Sequence, residues 1–251
     1  MSIKKYLRYM LLRLCTKKKK VKTPPKYTQK GFDAQLNYNL WSSSRSRFTA
    51  SKRLEIKNKL SGQTVSFASA YLILLSLIQV FIQEQHLSQL VTYINISLAI
   101  IILAISQIES SSNYSLRAHK FHDCGLELNT LYKRLRRLKN EYQVSEGKEK
   151  DDDFWKAVGE IDNEYDLILR RHDNHDRLDY EMFKASYPKY EDHSVSGWFI
   201  FKTKSKYYIQ TKFLYHFLIY VPPLFLTYFA FYILGYEKVF DPIVALVNRL
   251  L

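Results

Sequence analysis

Residues 60–83 read LSGQTVSFASAYLILLSLIQVFIQ, and residues 85–108 read QHLSQLVTYINISLAIIILAISQI. Neither stretch holds an Asp, Glu, Lys or Arg, and Glu84 alone separates them. A helix of about 24 residues crosses a hydrocarbon core roughly 30 Å thick. A single charge between two such stretches leaves room only for a tight turn. The pair is therefore expected to form a helical hairpin in a bilayer.

The spans carry polar residues but no formal charge. The first holds Ser66, Ser69, Ser76 and Gln79, and the second Thr92, Asn95, Ser97 and Ser106. Small and hydroxylated residues let membrane helices approach and hydrogen-bond. Ser66, Ser76, Gln79, Asn95 and Ser97 are thus candidates for two roles. They either fix helix pairing or line a water-filled lumen.

A third uncharged stretch, residues 213–236, is rich in aromatics and contains Pro222 and Pro223. We expect a third membrane helix at about 213–234. A re-entrant or interfacial segment and a helix packed on the hairpin are the alternatives. Proline is tolerated in a spanning helix when neighbours satisfy the freed carbonyls.

The remainder is polar. Of 251 residues 47% are hydrophobic, yet mean hydropathy is only -0.27, lower than a polytopic transporter would show. Net charge is +14, and residues 1–63 carry 17 Lys and Arg against Asp33 and Glu55. A basic excess beside a membrane suits anionic lipid headgroups. Nucleic acid is the other partner a basic face can suit, but direct binding to it is not expected. The candidate membrane-surface cations are Lys17, Lys18, Lys19, Lys20, Arg45, Arg47, Lys52 and Arg53. Cations before the first span and after the second (Arg117, Lys120), with none in the turn, place both ends of the hairpin and the N-terminus in the cytoplasm.

Ile3, Leu7, Met10, Leu11 and Leu14 recur at helical spacing among cations, as in an interfacial amphipathic helix, not a signal peptide. Two cysteines, Cys15 and Cys124, suggest no disulfide framework. Cys15 is either a palmitoylation candidate or an ordinary apolar helix residue.

Beyond the hairpin, Cys124, Leu128, Leu131, Leu135, Leu138 and Tyr142 step 4-3-4-3-4. Phe154, Val158, Ile161, Tyr165 and Ile168 step 4-3-4-3. Two helices with such seams and a short connection should pack antiparallel, the first continuing span two into the cytoplasm. A further helix is expected from Asp176 to Ser186, capped by Asp176 and ended near Pro188. The expected fold is an all-α membrane protein: a two-helix transmembrane hairpin, a cytoplasmic antiparallel helical module and a third membrane helix.

Enzymatic motifs are missing. The seven glycines are scattered, with no phosphate-binding loop, nucleophile elbow or paired C-x-x-C. His119, His122 and Cys124 invite a metal reading but lack a second half-site. The run His172 to Asp176 is explained by Asx capping at a helix junction. We expect no enzyme activity, no cofactor and no metal. Lys133 to Lys139 is either the solvated face of a helix or a phosphate or subunit contact.

Residues 41–60 (WSSSRSRFTASKRLEIKNKL), 113–138 (NYSLRAHKFHDCGLELNTLYKRLRRL) and 165–183 (YDLILRRHDNHDRLDYEMF), with the hairpin between, resemble the SLATT domains. These are two-transmembrane effectors of bacterial nucleotide-signalling conflict systems, and the likeness is to the subtype beside reverse transcriptases. It covers roughly residues 37–189, leaving 1–36 as a basic N-terminal segment and linker and 190–251 as a C-terminal segment. The hairpin falls at about 64–108 and the cytoplasmic helices at about 110–187. The resemblance implies an effector that forms a homo-oligomer and perforates or depolarises the bacterial inner membrane, killing or arresting the cell. It also implies an activator encoded nearby, a reverse transcriptase or nucleotide-signalling system. A non-pore adaptor, anchored by the hairpin, is the rival.

Overall fold

The computed structural model describes residues 26–144, 152–190, 192–193 and 195–233. The N-terminal segment with Cys15 and Lys17, Lys18, Lys19 and Lys20, and the stretch after Ile233, lie outside them. Among the described residues the chain is helical and has no strand.

A 3₁₀ turn, Lys26–Gln29, precedes α1, Phe32–Val80, a single helix of 49 residues. No proline interrupts it, and at 1.5 Å per residue it is about 73 Å long. Its C-terminal half is the apolar span one and its N-terminal half is the basic segment, so the basic segment runs unbroken into the span. After a turn, α2 (Gln85–Ser111) returns along α1. α3 follows, Tyr114–Val144. Continuation of span two is thus close but not seamless: Asn113 adopts a left-handed φ of 47° between the two helices. Asparagine tolerates that conformation better than most residues, and three serines before it weaken the helix.

α4 (Asp152–Arg171) packs on α3 through the predicted seams. Cys124, Leu128, Leu131 and Leu135 meet Phe154, Val158, Ile161 and Ile168, and α1 adds Leu36 and Leu40. The core is therefore three helices deep. Higher up, Ala50 and Leu54 pack on Ala118 and Phe121. α1 and α3 approach closely because α1 offers Ser44, Ser46, Ala50 and Ser51, all buried. α3 in turn offers Gly125, where a Cβ would lie 2.9 Å from the Phe48 ring.

α5 (Arg177–Ser186) begins at Asp176 as expected, and Asp179 returns a carboxylate to the Asp176 N–H at 3.2 Å. α6 (Gly197–Tyr208), capped by Ser196, runs through a π-helical turn, Ile209–Phe213, into α7, Leu214–Ile233. α7 packs along the membrane half of α1. Three helices are long and apolar enough to cross a membrane: α1, α2 and the α6–α7 helix.

Candidate functional site: the membrane bundle and its basic collar

In the hairpin, the amides expected to pair helices or face water do the former within one chain. Gln79 Nε2 donates to Thr92 Oγ1 at 2.7 Å, and Asn95 Nδ2 donates to Ser76 Oγ at 2.7 Å. The Ser76 hydroxyl donates onward to the Leu72 carbonyl at 2.9 Å. Ser66 bonds back to Gly62 and Ser69 to Val65, both at 2.9 Å. Gly62, Ser66, Ser69 and Ser76 are exposed along one face of α1, and Ser97 is exposed on α2.

The third helix is tied to the hairpin at two points. Tyr71 donates its hydroxyl to the Ile219 carbonyl at 2.6 Å. That carbonyl would ordinarily accept from residue 223, which is proline and has no N–H. At the end of the bundle nearer the helical module, the Tyr215 hydroxyl donates to Glu109 Oε1 at 2.8 Å. Neither tyrosine stands out in the sequence. Counting four residues back from each proline would have predicted the need for a donor.

Below the membrane, two of the expected surface cations are corrected. Arg53 is 8% exposed and its guanidinium grips the fully buried Asp179, Nε to Oδ1 at 2.8 Å and Nη2 to Oδ2 at 2.9 Å. Nη2 also reaches Asp176. Burial opposes the Arg53 charge, but the hydrogen bonds and charge of Asp179 outweigh it and hold the pKa above its usual value. Arg47 is 2% exposed, donates to the Asp173 carbonyl and lies 5.6 Å from the centre of the Phe121 ring. Burial lowers its pKa. Arg45 and Lys52, by contrast, are exposed. The face of α1 decides the difference: Arg47 and Arg53 turn towards the junction of α4 and α5, the other two away from it.

That junction is the His172 to Asp176 run, which the two arginines staple to α1. Asn174 Oδ1 accepts from the N–H of the next residue, His175, at 3.0 Å. His172 Nε2 lies 3.4 Å from Glu127 Oε1. Burial, reinforced by the Arg47 charge, pushes the His175 imidazole down to about 4. His119 and His122 are exposed while Cys124 is buried in the core. Burial raises the Cys124 thiol, which disfavours thiolate chemistry. Among the described residues no three His, Cys, Asp or Glu side chains converge as a metal site.

An aromatic nest went unread in the sequence. Trp41 packs against Phe183, Tyr187 and Tyr190 at ring separations of 4.8, 5.2 and 5.0 Å, and stacks on His193 at 5.9 Å. His193 is 3% exposed, held by the Tyr187 carbonyl at 2.8 Å and the Tyr38 hydroxyl at 3.2 Å. Burial lowers its pKa. The nest pins the chain after α5 to α1. Its only sequence signal was the aromatic density after Phe183.

A family model described as SMODS and SLOG-associating 2TM effector domain family 5 matches residues 29–229. The match runs through nearly all of α7. No curated protein and no solved structure matches the chain.

Proposed function

The chain belongs to the SMODS and SLOG-associating 2TM effector domain family 5, and from that premise we propose that it oligomerises in the bacterial inner membrane and permeabilises or depolarises it on activation. Cell death or arrest follows. The N-terminus and the α3–α5 module are cytoplasmic, anionic lipids surround the basic collar, and the activator is a protein encoded nearby. A reverse transcriptase or a nucleotide-signalling system has the chemistry the resemblance implies.

One observation carries the assembly. Gly62, Ser66 and Ser69 form an exposed strip on a spanning face of α1, where nothing stands within 4 Å of a Cβ placed on Gly62. The two hydroxyls donate within their own helix, so the strip tolerates lipid and offers a second copy a close approach. Expression with the genomic neighbours should depolarise single cells, and the purified assembly should leak dye from liposomes. Ser66→Leu with Ser69→Leu should abolish both while leaving the protein in the membrane. Intact potential and tight liposomes, with protein present, would overturn the pore.

The pairing of Gln79 with Thr92 and of Asn95 with Ser76 inside one chain favours the adaptor as second reading, because it gives those amides a helix-pairing role that needs no lumen. An adaptor would keep its function after both hairpin spans were replaced by unrelated apolar helices, whereas a pore would lose it.

A further inference from the structure

A groove of about 420 Å³ lies between α1, α5 and the π-helical turn. Arg45, Phe48 and Lys52 of α1, Ser186 of α5, Tyr207 and Lys212 line it, and no Asp or Glu does. Arg45 and Lys52 stand seven residues apart, two turns along one face of α1. Lys212 is carried in by the π-helical turn, a local widening that often marks functional positions in helices. None of the three cations makes an ion pair among the described residues, in contrast to Arg53 on the neighbouring face.

We propose that this groove binds the phosphate of an anionic phospholipid headgroup. Three cations lining one groove with no acidic residue in its walls suit a multiply accepting anion, and a phosphate supplies the oxygens. The tyrosine and serine hydroxyls on the rim suit the polar remainder of a headgroup. Position selects lipid over a dissolved phosphate. Lys212 is two residues from the start of α7, and Phe213 and Leu214 beside it are 52% and 57% exposed. Apolar side chains left bare at that height are suited to acyl chains descending from the same molecule. The site differs from a diffuse basic collar because it has walls, and because it joins the third membrane helix to α1. It rests on the membrane placement of the spans and not on conduction.

The test uses the full chain in neutral detergent, titrated with phosphatidylglycerol or phosphatidylcholine, with bound lipid counted by native mass spectrometry. Wild type should retain phosphatidylglycerol preferentially. R45Q/K52Q/K212Q should bind it more than about tenfold more weakly, whereas K133Q/R136Q/R137Q, which removes equal charge from exposed positions on α3, should match wild type. Equal loss in both triple variants would reduce the site to general electrostatics and overturn it, as would no loss in the groove variant. Soluble glycerol phosphate binding as tightly as the lipid would reassign the groove and also overturn the proposal. Should the triple variant melt early, K212Q alone decides, with about fivefold weakening expected and wild-type binding refuting the site. Lipid retention is read without ion flux, so failure of the pore reading leaves this result interpretable.

Discussion

The Tyr71 hydroxyl stands 2.6 Å from the Ile219 carbonyl, the acceptor that Pro223 leaves without its helical partner. A tyrosine on one membrane helix thereby repairs a defect that proline makes in another. An unsatisfied carbonyl in an apolar interior costs about 1–3 kcal/mol. Tyr71→Phe should destabilise the bundle by about that amount. In a Pro223→Ala background the backbone N–H returns, and the same change should cost close to nothing. Unfolding in detergent across the four-member cycle checks it, and additive effects would disprove the pairing.

Arg53 and Asp179 form a buried, bidentate ion pair. Removing one partner strands the other charge, at a cost of about 3–5 kcal/mol. Arg53→Gln should unfold the α5 corner or lower the melting temperature sharply. Arg53→Lys should rescue it only in part, since an ammonium cannot make the two-pronged contact. Arg53→Met with Asp179→Leu should recover most of the loss, read by circular dichroism melts.

Acid should loosen the collar before ordinary carboxylates titrate. His175 is held at about 4 against an ordinary 6.5, and His193 is also lowered. Unfolding lets both take up protons, so their contribution is complete above about pH 6.5 and declines as pH falls towards the folded values. Melting temperature should drop between about pH 6.5 and 5, and His175→Asn should flatten that slope. An unchanged slope in the variant would remove His175 from the account.

Gly125 is a close-approach position, not a conformational one. Gly125→Ala should gain up to about 1 kcal/mol from helix propensity and lose it to the Phe48 ring. In a Phe48→Ala background the same substitution should be stabilising. A stabilising Gly125→Ala in the wild-type chain would show that the ring moves aside freely.

The elements were legible where one-dimensional pattern suffices. Charge-free windows gave the spans, the 4-3 stepping from Cys124 and from Phe154 gave the antiparallel pair, and Asp176 gave the start of α5. What escaped depends on helix rotation. Nothing in the local sequence distinguishes Arg45 from Arg47 or Lys52 from Arg53, yet they face opposite environments. Their partners lie some 126 residues away at Asp173 and Asp179. The basic segment and the His–Asp run looked like two separate features, one for lipid and one for capping. In the folded chain, part of one neutralises part of the other. The left-handed Asn113 was not read, since the seam from Cys124 was expected to continue span two without a break. The nest around Trp41 has no helical period to reveal it, because His193 lies beyond the end of α5.

α1 passes from the Trp41 nest to Gln79 without interruption, a run of about 57 Å at the standard rise. That one helix therefore belongs both to the nest and to the hairpin. α2 and α3, by contrast, are joined through the left-handed backbone of Asn113. The two spans of the hairpin are thus attached to the helical module by unlike joints, one an unbroken helix and the other a break in the helical backbone.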